Sequence, residues 1–218
     1  MKDYVRRNQK IYDTLATKYL ERIKNKSIYE IDFGYLVSYM IKHYFETYGR
    51  LPAKVLELGP GAGEVLKIFG EKGCYTSAIE LSSKMADVAK KNSPHTIFIL
   101  KDILSFNYFL QEQFDIVFAG AFLHLFSIED EKKILCKVNK WMSKEGLFCL
   151  YTTLHEKSEE GIFLKDDYGM HIEHFRRRWN KLDLCNFLTD NGFEIIDSFE
   201  NYEKDREKKW INLILKKS

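Results

Sequence analysis

Proline is scarce, with three in 218 residues, and the chain contains no repeat and no low-complexity tract. Nothing in its composition marks a linker, so a solenoid or a string of modules is excluded. Cysteine is equally thin. Cys74, Cys136, Cys149 and Cys185 are widely spaced and form no CxxC pair, which excludes a zinc or dithiol motif. Each sits in an apolar pattern, so reduced, buried thiols are expected. No apolar run reaches the length of a membrane span, and the opening "MKDYVRRNQK" lacks the hydrophobic segment of a secretory signal. A cytoplasmic location with no membrane partner is the expectation. An excess of charge of one sign is also lacking. Thirty-four Lys/Arg against 32 Asp/Glu leave +2, which gives no global electrostatic case for a nucleic-acid partner. A basic excess is confined to the ends: eight against three in residues 1–26 and six against three in 202–218. Both read as solvated faces of terminal segments.

What is present is a rhythm. Residues 12–48 have helical spacing, with Tyr12, Leu15, Ala16 and Tyr19 on one face. After "YGRLPAK" short apolar runs alternate with helix-like segments. "KVLEL" precedes a helix near Gly63–Phe69, and "YTSAIE" precedes one over "SSKMADVAKKN". "TIFIL" and "FDIVFAG" come next, then a helix over "SIEDEKKILCKVNKWM" and the run "GLFCLYTT". Ser127 followed by Asp130 resembles a capping box for that helix. Runs of this kind without polar alternation suit strands buried on both faces. Together they predict an α/β fold: a doubly wound, mostly parallel seven-stranded sheet within one domain spanning 1–218. Beyond Thr153 a long polar and aromatic segment (residues 154–180) has no strong period and reads as a functional loop. A helix with Asn180 as N-cap and Gly192 as its stop follows, and then two closing strands, "FEIIDSFENY" and "WINLILKK", that pair antiparallel.

The stretch "VLELGPGAGEV", residues 55–65, runs from a strand into a glycine-rich turn. In an open α/β sheet such turns face the ligand. Glu57 stands just before the glycines, and Glu80 closes the next strand, seventeen residues after Gly63. Glu80 is placed to accept ribose hydroxyls, which fits a nicotinamide dinucleotide or an adenosyl ligand. Asp102 closes the strand after that. Three acids around one pocket suit a ligand with a positive centre and no phosphates, because Glu57 would repel a pyrophosphate.

"VLELGPGAGEV", "AIELS", "LKDIL" and "FDIVFAGAFLHLF", in that order and spacing, resemble the class I S-adenosylmethionine-dependent methyltransferases, from about Tyr12 to the C-terminus. The resemblance implies S-adenosyl-L-methionine as cofactor. Gly59, Pro60, Gly61 and Gly63 would meet its methionine part, with Glu57 at the ammonium. Glu80 and Leu81 would hold the ribose, Asp102 and Ile103 the adenine, and Ala119, Gly120 and Ala121 the inner face. "IYDTLATKYL" is similar to the YDxxAxxY helix of the small-molecule branch, so residues 1–50 become a helical lid acting through Tyr12 and Tyr19.

Methyl transfer aligns a nucleophile with the sulfonium methyl and excludes water. A base is needed only where the acceptor loses a proton. His124 is the candidate base, although residues at its position in the family also pack against cofactor. Tyr151, His155, Tyr168, His171, His174 and Arg178 lie where the family builds acceptor pockets. Residues 154–180 are accordingly expected to be a mobile acceptor-side insertion. "AGAFLH" occupies the place of an NPPY-type tetrapeptide, which weakens the case for base-nitrogen acceptors. A small-molecule acceptor methylated at oxygen or nitrogen is the leading expectation for a monomer or homodimer. RNA or protein methylation, or cofactor binding without turnover, are the alternatives.

Overall fold

The computed structural model describes residues 1–24, 32–108, 112–167, 170–204 and 207–218. Two helices lead, α1 (Asp3–Lys24) and α2 (Phe33–Tyr48). Where the spacing suggested one helical stretch over 12–48 there are two helices. α1 begins earlier than predicted, and Asp32 caps α2 by accepting the Tyr35 amide at 3.0 Å. Residues 25–31 of that stretch lie outside the described residues.

The predicted alternation then unfolds in order: β1 (Lys54–Leu58), α3 (Glu64–Glu71), β2 (Tyr75–Glu80), α4 (Ser83–Asn92), β3 (Ile97–Leu100) and β4 (Phe114–Gly120). A short 3-10 turn at Leu123–Leu125 leads to α5 (Ile128–Trp141) and β5 (Met142–Leu154). β6 (Glu159–Asp167), β7 (Met170–Arg178), α6 (Lys181–Asp190), β8 (Phe193–Glu203) and β9 (Lys208–Lys217) complete the chain.

Seven strands form one sheet in the order β3-β2-β1-β4-β5-β9-β8. Neighbours from β3 to β5 pair parallel, and β9 runs antiparallel to both β5 and β8. The mostly parallel sheet with an antiparallel closing strand is the predicted architecture. α5 and α6 cover one face, where Leu135, Val138 and Leu184 meet Leu56, Val117 and Phe148. α2 and α3 cover the other, where Met40, Tyr44 and Phe69 meet Val55, Ile116 and Cys149. Apolar side chains on both faces explain why these strands showed no polar alternation. The topology reverses between β1 and β4, and a crevice opens there beyond the strand ends.

Asp115, near the start of β4, ties α2 to this sheet. It accepts from Tyr44 Oη (2.9 Å), Arg50 Nη2 (2.9 Å) and the amides of Ala53 (2.8 Å) and Lys54 (3.0 Å). Burial pushes its carboxyl up, but Arg50 and the two amides outweigh this and hold its pKa below the usual range.

Three expectations are corrected. The 154–180 segment is mostly a β-hairpin: β6 and β7 pair over nine residues each as a separate two-stranded sheet. Its period of two was hidden because half-buried charges fill positions that apolar residues usually take. Arg177 lies 4.1 Å above the Trp179 ring and Arg178 lies 3.8 Å above Phe163. Ser127 is the N-cap of α5 but makes no side-chain cap bond. Instead Glu160 of the hairpin accepts the Ile128 amide at 2.9 Å, and Asp130 accepts from Lys2 and Tyr4 of α1. The four cysteines are free, yet only Cys149 is buried, and Cys136 is exposed.

Candidate active site

Beyond the carboxyl ends of β1, β2 and β4, with α1 lying across them, is a cavity of about 230 Å³. Its acidic end is built by the glycine turn. Gly59 has φ 65°, and a Cβ there would come within 2.4 Å of the Phe122 ring. Gly63, at φ 79°, presses against the Ala89 carbonyl of α4, where a Cβ would fall at 2.9 Å. Glycine is thus required at both positions by the protein's own packing. The turn brings α3 close under the strands, and Glu57, Glu64 and Glu80 line the cavity together.

Glu57 is buried at 4% exposure, and its Oε2 has no hydrogen-bond partner among the described residues. Burial first, then the neighbouring Glu64 and Glu80, push its pKa well above the ordinary carboxylate value. Glu80 accepts the Ser82 amide at 2.7 Å. Burial raises its pKa to about 7 against the lowering pull of the Ser82 and Leu81 amides. Two crowded carboxyls, one of them unsatisfied, are costly unless a cation or donor completes them.

α1 roofs this end. Gln9 donates to Leu81 O at 3.2 Å, and Ser82 Oγ donates to Asp13. Tyr12 and Tyr19 meet edge to face at 6.3 Å over the turn, against Ala62 and Met85. Asn8 locks the helix to the hairpin: its amide nitrogen donates to Leu125 O and Phe175 O, and its oxygen accepts the Phe175 amide, each at 3.2 Å.

The far end is different in sign. Arg176 and Lys208 line it, beside Tyr151 and Trp210, whose rings stack at 4.4 Å. His124 lines the middle, buried, with Nδ1 3.2 Å from Thr152 Oγ1. Ala121 sits next to it at φ 51°, a left-handed conformation held by its amide donating to Tyr151 O at 2.7 Å.

Residues 56–150 match the family described as "methyltransferase domain". A phosphoethanolamine N-methyltransferase from Plasmodium falciparum is 32% identical over 99 residues, which is 43% of this chain and 36% of that one. The chain spans between about a third and a half of the length of the curated relatives it matches, 36%, 47% and 49%. Over the whole fold, an S-adenosylmethionine-dependent methyltransferase from Clostridium acetobutylicum superposes with a TM-score of 0.72 at 17% identity. That match covers 95% of this chain and 99% of the other. A 1,6-didemethyltoxoflavin-N1-methyltransferase from Burkholderia thailandensis gives 0.67 at 16%, covering 94% and 87%. The chain shares the fold of these solved S-adenosylmethionine-dependent methyltransferases, and residues 56–150 carry the methyltransferase-domain match.

Of the predicted site residues, the cavity wall gathers Tyr12, Tyr19, Glu57, Gly59, Pro60, Gly61, Glu80, Leu81, Gly120, Ala121, His124 and Tyr151. Other predicted site residues lie off the wall. Gly63 packs on α4, Ala119 is fully buried within β4, and Ile103 is buried in the core. Asp102 accepts the Leu104 amide at 3.0 Å, while Lys137 fastens the same turn through the Ile103, Leu104 and Phe106 carbonyls. His174 is buried opposite Phe163 in the hairpin, where His171 pairs with Asp166. His155 stands behind the wall, its Nε2 3.2 Å from Thr153 Oγ1. Arg178 is drawn away by Glu159, at 3.1 Å. Tyr168 lies outside the described residues.

The wall residues that the sequence reading missed are chiefly Asn8, Gln9, Arg176, Lys208 and Trp210. Arg176 and Arg178 share a strand face, so parity alone could not choose between them. Register does: Arg178 stands opposite Glu159, whereas Arg176 stands opposite Gly161 and turns to Thr153 Oγ1 at 2.7 Å.

Proposed function

We propose that this protein is a methyltransferase that transfers a methyl group from S-adenosylmethionine to an oxygen or nitrogen of a small-molecule acceptor. The observation that carries the cofactor half is Glu57: a buried carboxylate oxygen without a partner among the described residues, facing a cavity that already holds two more acids. An ammonium or sulfonium satisfies that arrangement, and a pyrophosphate does not. When bound, the cofactor supplies an electrophilic methyl on a positively charged sulfur.

The chain's own groups do the rest. Glu57 accepts from the ammonium, Glu80 accepts from ribose hydroxyls, and Tyr12 and Tyr19 exclude water from above. The adenine is assigned to Asp102 and Ile103 by the family resemblance alone. Thr152 orients the His124 ring through Nδ1, which suits His124 to take a proton from a hydroxyl or protonated amine acceptor. Support for a small acceptor comes from α1 and the hairpin enclosing the cavity. The names of two relatives, a phosphoethanolamine and a didemethyltoxoflavin methyltransferase, point the same way.

Calorimetry with S-adenosylhomocysteine tests the cofactor half. Micromolar binding is expected, with Glu57→Gln weakening it about 10- to 100-fold through loss of a charge-assisted bond. Labelled methyl incorporation, run on a metabolite pool beside tRNA and protein fractions, tests the acceptor half. Label confined to the macromolecular fractions would overturn the small-molecule reading.

A further inference from the structure

The cavity is polarised. Among the charged side chains on its wall, Glu57, Glu64 and Glu80 hold one end, and Arg176 and Lys208 hold the other. We propose that the acceptor carries an anionic group, a carboxylate or a phosphate, bound between Arg176 and Lys208. This rests on the methyltransferase reading above and narrows its acceptor class.

Both cations are built into the site. Arg176 stands near the end of β7 and is steadied by Thr153 Oγ1 at 2.7 Å. Lys208 opens β9, two residues before Trp210, whose indole N–H donates to the buried Glu203 at 2.9 Å. Counter-charges are present behind them: Glu203 lies opposite Lys208 in the β8–β9 register, and Glu159 is engaged by Arg178 and Lys157. His155, next to the cluster, has its pKa driven down to about 4 by burial and then by Arg176, Arg178 and Lys208. The stacked rings of Tyr151 and Trp210 flank the cations, and a flat or apolar acceptor body fits against them.

The cofactor's own carboxylate is not the natural occupant. In the sheet order β9 lies three strands from β1, about 14 Å across, and the register sets Glu57 level with Ile214, so Lys208 is displaced by about a further 20 Å along the strand direction. A carboxylate on the same carbon as the ammonium held at Glu57 does not cover that span.

The test titrates the S-adenosylhomocysteine-saturated protein with phenyl phosphate, with benzoate and with uncharged benzyl alcohol. At least one anion is expected to bind ten times more tightly than the alcohol, and which anion does so separates phosphate from carboxylate. Arg176→Gln and Lys208→Gln should each weaken that anion tenfold or more and change S-adenosylhomocysteine affinity less than twofold. Arg176→Lys should recover part of the loss. Equal binding of the alcohol, no binding of either anion, or unchanged anion affinity in both variants would overturn the proposal. So would a loss of S-adenosylhomocysteine affinity in its place, which would give the cations to the cofactor. If S-adenosylhomocysteine itself fails to bind, the proposed function falls. The same titrations on the protein alone then still decide whether the basic end selects anions.

Discussion

Glu80 couples protonation to both stability and binding. Its folded pKa of about 7 lies above the model-peptide value near 4.5, so the folded state holds a proton that the unfolded state releases. Its contribution to stability is therefore greatest below about pH 4.5 and is lost as pH rises through 7. His155, whose pKa is lowered to about 4, works in the opposite direction between its unfolded value and 4, so the two partly cancel in the wild type. Comparison with Glu80→Gln isolates the first. That variant should gain stability relative to wild type as pH rises from 5 to 8, by on the order of 3 kcal/mol, read from denaturant midpoints. Cofactor affinity should move the other way: the wild type should bind more tightly above pH 7, where Glu80 is ionised. Calorimetry on Glu80→Gln should lose that dependence. A variant with the same pH profile as wild type in both measurements would remove Glu80 from the site.

Two elements border the cavity, and the sequence showed them unequally. The amphipathic face of α1 was legible from Tyr12, Leu15, Ala16 and Tyr19, because helical spacing survives in a single sequence. The β6–β7 hairpin was not, since its strands carry half-buried charges and each is defined only by its partner. Asn8, at 5% exposure, joins them through two hydrogen bonds with Phe175 and makes a third to Leu125 O. Asn8→Ala leaves buried backbone groups unsatisfied and should cost about 1–3 kcal/mol. Hydrogen exchange should speed up at Phe175 and its neighbours in β7 while the amides of β1 and β4 stay protected. S-adenosylhomocysteine affinity should fall with the loosened helix, and unchanged exchange in β7 would mean that α1 and the hairpin are independent.

Across the whole molecule, Asp115 is a polar tie of α2 and the segment after it to the sheet. Asp115→Ala strands Tyr44 Oη, Arg50 and two amides, and should lower stability by on the order of 3 kcal/mol, seen as a lower denaturant midpoint with unchanged slope. Its depressed pKa means this contribution is present above the unfolded carboxylate pKa and disappears as pH falls through the folded one. Sequence alone determined the sheet's alternation with helices, the glycine turn and the three acids after three strands. Those signals are local: burial on both faces makes apolar runs, tight turns demand glycine, and each acid follows its own strand. Tertiary structure decided which charges share a wall. Arg176 and Lys208 belong to different sheets and meet only when β7 folds over the ends of β5 and β9, so no spacing along the chain could record their pairing. It also decided that Asp102 accepts an amide from its own turn, because a side chain's direction depends on the turn's backbone and on Lys137 arriving from α5 to hold it.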